Sequence, residues 1–172
     1  MKTEKLTLFL KNTDSSLEWN HRIIIPKNVA ENFLENNDRR VVCTINNNII
    51  IHAALMPADG DYFIMINKSI RKKLSISEGS ALQIELEKDT SKYGMEMPNE
   101  FQEMLDQESD AFDYFSKLTP GKQRTLIHLV GKVKNTDSRV RKSLAITEHL
   151  KESKGEIDFK KLNEKIKYYN NL

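Results

Sequence analysis

Two stretches of the chain share one pattern of residue types, and this internal similarity restricts the fold more than any other feature of the sequence. Residues 64–86 (IMINKSIRKKLSISEGSALQIEL) align without a gap on residues 23–45 (IIIPKNVAENFLENNDRRVVCTI), 41 positions earlier. Apolar residues match apolar residues at most positions, as Phe33 matches Leu74. Each copy combines an apolar run, a short segment of helical apolar spacing and a second run of alternating character. The sequence therefore predicts two copies of a strand, a short helix and a second strand.

Strand patterns also surround the two copies. Residues 5–11 place three leucines on one face of a first strand. Between the copies, residues 48–56 and 62–66 flank the turn sequence Pro-Ala-Asp-Gly, which predicts a hairpin. The duplicated unit and these added strands predict a β-barrel domain at residues 1–92.

The apolar spacing becomes helical in the second half of the chain. Thr119 before Pro120 predicts an N-cap and the first position of a helix, and Asp158 predicts the N-cap of a last helix. These patterns predict a helical domain with a C-terminal helix at residues 93–172. The fold class expected for the whole chain is α+β, with an N-terminal barrel and an all-helical C-terminal domain.

Composition predicts a cytoplasmic protein. The longest apolar runs have about four residues, which is too short to span a membrane. Met1 is followed by polar residues, so no signal peptide is expected. Cys43 is the single cysteine, and a chain without an internal disulfide suits a reducing compartment.

Charge is divided between two neighbouring blocks in the second half of the chain. Residues 96–118 carry seven acidic side chains and one basic side chain, whereas residues 119–155 carry nine basic and three acidic ones. The candidates for contact with an anion or a nucleic acid are Lys122, Arg124, Lys132, Lys134, Arg139, Arg141 and Lys142. Either the two blocks neutralise each other within one helical unit, or the basic block meets an anionic partner.

The second copy resembles AbrB-like proteins. Residues 67–87 contain the pattern K-x-I-R-x-x-L, a turn glycine and a strand. AbrB-like proteins build a barrel from two copies supplied by a dimer. The resemblance therefore implies a pseudo-two-fold double-split β-barrel built from two β-α-β copies, here in a monomer. The DNA contacts implied by the same resemblance are Lys68, Arg71, Lys72 and Lys73.

Two observations oppose DNA binding by the barrel. The first copy has Ala30, Glu31 and Asn32 where the second has Arg71, Lys72 and Lys73, so the basic face is not repeated. Residues 1–95 carry 13 basic and 12 acidic side chains, which is hardly an excess. Solvated surface charge is the competing interpretation.

The two halves also resemble two bacterial families. A domain family of unknown function is matched at Trp19 and at residues 23–26, 52–57 and 68–74. Residues 98–155 resemble the YdeI/OmpD-associated family, which carries a bacteriocin-protection label, through a P-x-x-F-x-x-x-L start and a basic stretch at residues 131–142. These resemblances imply an uncharacterised bacterial protein that is a non-enzymatic binding or regulatory module, with a link to bacteriocin or stress tolerance.

Little in the sequence indicates catalysis. The four histidines lack ligand spacing, so we expect neither a metal nor a cofactor. Cys43 lies in an apolar alternating run, which predicts a buried thiol. Trp19, Tyr62 and Phe63 are candidates for a pocket at the barrel mouth, where a small-molecule enzyme would act. Packing in an aromatic core is the alternative for these three side chains.

Overall fold

The structure, a computed structural model, describes residues 3–13, 21–36 and 38–172. The chain divides into two compact units, Met1–Thr90 and Ser91–Leu172. The first unit is a curled antiparallel sheet with short helices, and the second is helical. The predicted α+β class is therefore confirmed. No helix in the described part of the chain has both the length and the apolar character needed to cross a membrane.

The N-terminal unit has one seven-stranded sheet. Its strands are β1 (Thr3–Asn12), β2 (His21–Ile25), β3 (Arg40–Ile45), β4 (Ile49–Ala54), β5 (Met56–Ala58), β6 (Asp61–Met65) and β7 (Ala81–Lys88). Its helices are α1 (Lys27–Ala30), which continues as a 3-10 turn (Glu31–Phe33), and α2 (Lys68–Leu74). The strand order is β4-β3-β7-β1-β2-β6-β5, and neighbouring strands are antiparallel.

Strands from the two similar stretches pair with each other. β2 pairs with β6, where Ile23 lies opposite Ile64. β3 pairs with β7, where Thr44 lies opposite Glu85. Each of these two pairs joins residues that are 41 positions apart, so both strand pairings include one pair of positions that match in the sequence alignment.

The two edges of the sheet are joined by one residue. β4 ends at Ala54 and β5 begins at Met56, while Leu55 between them is fully buried. The Leu55 N–H donates to the Arg39 carbonyl at 2.8 Å. The chain thus passes directly from one edge of the strand order to the other, as a curled sheet allows.

This connection corrects the predicted hairpin. β4 pairs with β3, and only the short β5 pairs with β6 across the turn at Asp59 and Gly60. The turn between β3 and β4 contains Asn46 and Asn47, both with positive φ, a conformation that asparagine tolerates better than most residues. The chain reverses direction at this turn, so β4 runs antiparallel to β3.

Alternation along the strands supplies the core of the first unit. The buried side chains include Leu10, Ile23, Ile25, Phe33, Val41, Cys43, Ile45, Leu55, Ile64, Ile66, Leu82, Ile84 and Leu86. Because successive side chains of a strand point to opposite faces, the strand positions in this list form one apolar face that closes on itself as the sheet curls. The other face is largely polar, with Lys5 paired to Glu85 at 3.5 Å.

The C-terminal unit packs its helices around α6. The helices are α3 (Asn99–Gln107), α4 (Ser109–Ser116), α5 (Pro120–Gly131), α6 (Thr136–Glu152) and α7 (Phe159–Asn170). The predicted N-caps are confirmed: Thr119 accepts a hydrogen bond from Lys122 N–H, and Asp158 accepts one from Lys160 N–H. Because α6 packs against each of the other four helices, even its polar residues Lys142 and His149 are buried.

Candidate polyanion-binding surface

α2 presents lysines to solvent because its apolar side is fixed by the core. The Asn67 side chain caps the helix by accepting a hydrogen bond from Ile70 N–H at 2.9 Å. Ile70 and Leu74 then pack against the apolar cluster of the sheet. The exposed lysines of α2 are Lys68, Lys72 and Lys73. Within the described residues, none of these three ammonium groups forms an ion pair with a carboxylate.

The matching positions of α1 carry opposite charges. Lys27 and Glu31 form an ion pair at 3.8 Å with the i,i+4 spacing of a helix. Forty-one positions later the same spacing brings together Lys68 and Lys72. An opposite-charge pair at this spacing stabilises a helix by about 0.2–0.5 kcal/mol, and a like-charge pair destabilises it by a similar amount. The repulsion between Lys68 and Lys72 therefore offsets part of the stabilisation that cations provide in the last turn of α2, whereas α1 has an ion pair at these positions.

Arg71 is the exception among the basic residues of α2. Its side chain is half-buried, and Nη1 donates to His21 Nε2 at 3.2 Å. Arg71 Nε is shielded from solvent and has no hydrogen-bond partner among the described residues. Burial and then the Arg71 charge lower the pKa of His21, while Glu78 acts in the opposite direction. The imidazole is accordingly neutral when it accepts this hydrogen bond.

Three of the seven basic candidates in the helical unit bind main-chain carbonyls at or just beyond helix ends. The contacts are Arg139 Nε to the Val133 carbonyl (2.8 Å), Lys142 Nζ to the Leu129 carbonyl (3.1 Å) and Arg141 Nη1 to the Asn170 carbonyl (3.4 Å). The last carbonyls of a helix lack helical partners and carry partial negative charge, so cations stabilise them. These contacts give Arg139, Arg141 and Lys142 a structural role.

Ion pairs also connect the acidic and basic blocks. Arg139 lies 3.6 Å from Glu100, and Lys151 lies 2.7 Å from Glu108. Burial and the nearby Lys132 charge lower the pKa of Lys142. The remaining candidates are less engaged: Lys122, Lys132 and Lys134 are exposed and Arg124 is half-buried. The blocks thus neutralise each other in part, and the corner between α5 and α6 keeps exposed lysines.

Of the aromatic candidates for a barrel-mouth pocket, Tyr62 and Phe63 lie on opposite faces of the sheet. Trp19 lies outside the described residues. Tyr62 packs against the core of the sheet, whereas Phe63, its neighbour on β6, points to the opposite face. The Arg22 guanidinium lies over the Phe63 ring at 5.1 Å, a cation–π contact.

A surface depression of about 350 Å³ lies where α6 ends and α7 begins. His149 Nε2 accepts a hydrogen bond from the Asp158 N–H at 3.2 Å, and the Asp158 carboxylate caps α7. Burial is the main cause that lowers the pKa of His149. Both polar groups are therefore already used in joining the two helices.

The remaining candidates for chemistry are isolated. Cys43 is fully buried, and burial raises the pKa of its thiol to about 12, which confirms the predicted core thiol. No group of three or more His, Cys, Asp or Glu residues that could hold a metal occurs in the described ranges. His52 Nδ1 lies 2.8 Å from a buried carboxylate oxygen of Asp89. Neither this pair nor the His21–Arg71 pair could be predicted from the sequence, since only the folded sheet brings either together.

Comparison with known families follows the division into two units. A family model described as "Domain of unknown function (DUF1905)" matches residues 10–86, and one described as "Bacteriocin-protection, YdeI or OmpD-Associated" matches residues 94–153. These matches confirm the resemblance of the second half of the chain to the YdeI/OmpD-associated family and that of the first half to a domain family of unknown function. No curated protein matches the chain, and no solved structure does. The lysines of α2 fall within the first match.

Proposed function

We propose that this chain is a non-enzymatic binding module that contacts the phosphate backbone of a nucleic acid through α2. The observation that carries the proposal is the like-charge pair Lys68 and Lys72, at positions where the first copy has the ion pair of Lys27 and Glu31. Among the described residues no carboxylate pairs with the lysines of α2, so their charges are open to an anionic partner. Lysine ammonium groups neutralise phosphates and release counterions, which provides affinity without base readout.

We also propose for the N-terminal domain the double-split barrel architecture that the AbrB-like resemblance implies. The N-terminal domain, residues 1–92, is a double-split barrel that arose by internal duplication, and residues 93–172 form the helical domain. The pairs Ile23–Ile64 and Thr44–Glu85 support this arrangement, because a pseudo-two-fold axis would relate the partners in each pair. Both barrel halves lie in one chain, so the module is a monomer with a single basic helix.

The apolar interior of the sheet supports a binding role over catalysis. The inward positions of the strands are filled by packed aliphatic and aromatic side chains, and the thiol among them is held protonated. A small-molecule enzyme would need a concave polar site with a perturbed titratable group. A nucleic-acid partner also agrees with the cytoplasmic location that the sequence predicts. The link to bacteriocin or stress tolerance would then act through binding.

The test is fluorescence anisotropy with a labelled 20-bp DNA duplex and a labelled 20-nucleotide RNA. If three lysines contact phosphates, the logarithm of the affinity for duplex DNA should fall with a slope of about −2.7 against log salt. Between 50 and 200 mM salt the affinity should then drop about 40-fold. Absence of binding to both probes at 50 mM salt would remove the proposal.

Lys72→Glu is the informative variant because it gives α2 the charge arrangement of α1. The new Glu can pair with Lys68 as Glu31 pairs with Lys27, so the helix should stay folded while binding is lost. Lys160→Glu, at an exposed lysine of α7, changes the net charge equally and should bind as the native chain does. Equal losses in both variants would show a net-charge effect. Binding of poly-glutamate in place of nucleic acid would indicate an acidic protein partner.

A further inference from the structure

We propose that His21 and Arg71 form a pH-dependent latch that controls the cationic surface of α2. While His21 is neutral, its imidazole holds Arg71 against the sheet. When His21 is protonated, Arg71 is released and becomes a fourth cation beside the lysines. This inference rests on the proposed nucleic-acid binding by α2 and adds both a further contact residue and a means of regulation.

The hydrogen bond between the two side chains requires a neutral imidazole. Arg71 Nη1 can only donate, so His21 Nε2, 3.2 Å away, must supply a lone pair. A protonated imidazole has no free lone pair and would place a second positive charge beside the guanidinium. Protonation therefore converts an attractive contact into a repulsive one.

Arg71 is placed to join the surface once it is released. It follows Lys68 by three positions, and residues three and four apart are neighbours on a helix surface. The matching residue of the first copy is Ala30, which is fully buried. A small apolar residue thus suffices at this position in one half of the sheet. The unsatisfied, solvent-shielded Nε of Arg71 also favours release, because in solution it would gain hydrogen bonds.

Charged groups on α2 and in the turn after it act on the His21 imidazole. Arg71 on α2 lowers the pKa of His21, and Glu78, in the turn after α2, raises it. On β1, the residue opposite His21 is the uncharged Asn12, and on the β6 side Ile66 N–H donates to the His21 carbonyl at 2.9 Å. Since burial and Arg71 outweigh Glu78, the latch should open below pH 6.5, the usual pKa of histidine.

Binding measured at pH 7.5 and pH 5.5 tests the latch. For the native full-length chain on the DNA duplex, the slope against log salt should change from about −2.7 to about −3.6 on acidification. One extra phosphate contact corresponds to an increase in affinity of about eightfold at 0.1 M salt. His21→Gln, with a neutral acceptor at both pH values, and Arg71→Ala should each lose this increase. An increase that persists in Arg71→Ala overturns the latch.

The His21 pKa provides a readout that needs no nucleic acid. Measured by NMR titration of the imidazole, it should rise in Arg71→Ala, because a nearby cation and a donor to the neutral form are both removed. An unchanged pKa overturns the latch even if α2 binds DNA. A raised pKa without DNA binding at either pH overturns the proposed function, and with it the regulatory role of the pair.

Discussion

The Cys43 thiol should be nearly unreactive in the folded protein. It is fully buried on β3, and burial raises its pKa to about 12. At pH 8 such a thiol is ionised in roughly one molecule in 10⁴, compared with about one in four for a free cysteine with a pKa near 8.5. Because the thiolate is the reactive form, labelling should be slowed by at least about 10³-fold, before any steric shielding is counted.

The assay is the rate of reaction with an aromatic disulfide reagent at pH 8, for the native chain and for the chain in 6 M urea. Because Cys43 is the single cysteine, the rate reports on the N-terminal unit alone. Cys43→Ala should abolish the signal in both conditions. If the labelling rate of the native chain is within about tenfold of the rate in urea, burial of the thiol is refuted and Cys43 becomes a candidate nucleophile.

The same pKa predicts how alkaline pH affects stability. The folded state keeps the Cys43 proton up to a pKa of about 12, whereas the unfolded chain releases it near pH 8.5. The folded state therefore binds more protons between these values, and the free energy of unfolding should fall as pH rises through this range. Cys43→Ala should remove this contribution.

Two further substitutions test the helical unit. Arg139→Ala removes the hydrogen bond to the Val133 carbonyl and the charge beside Glu100. It should lower the free energy of urea unfolding by about 1.5–3 kcal/mol and leave DNA binding unchanged. Unchanged stability with a loss of DNA binding would assign Arg139 to a partner surface. His149 has a lowered pKa when folded, so the unfolded chain binds more protons and stability should fall from pH 7 to pH 5. In His149→Gln the slope of the unfolding free energy against pH should decrease by up to the value that corresponds to one proton. A slope identical to that of the native chain would contradict the lowered pKa of His149.

Features that depend on neighbouring residues could be predicted from the sequence. The N-caps Thr119 and Asp158 are confirmed because a capping side chain acts on N–H groups two or three positions away. Strand alternation likewise indicated the buried position of Cys43. The strand pattern of residues 48–56 was predicted, but its pairing with β3 was not, because the turn at Asn46 and Asn47 depends on the positive φ of two asparagines.

Features that depend on distant residues could not be predicted. His21 and Arg71 are 50 positions apart, and His52 and Asp89 are 37 apart, so no spacing rule connects either pair. The role of the basic block at residues 119–155 could not be predicted for a different reason. A cation suits a helix carboxyl end and an anionic partner equally well, and only the orientation of Arg139 toward a carbonyl distinguishes the two roles.

Ile23 pairs with Ile64 and Thr44 pairs with Glu85 within a single chain, and this affects how mutations change the sheet and its helices. In a symmetric dimer one codon specifies both halves, so a mutation that introduces a lysine alters two helices at once. Here Glu31 and Lys72 are encoded separately. A substitution in α2 therefore leaves the ion pair of α1 intact, and each mutation needs to be tolerated in only one helix.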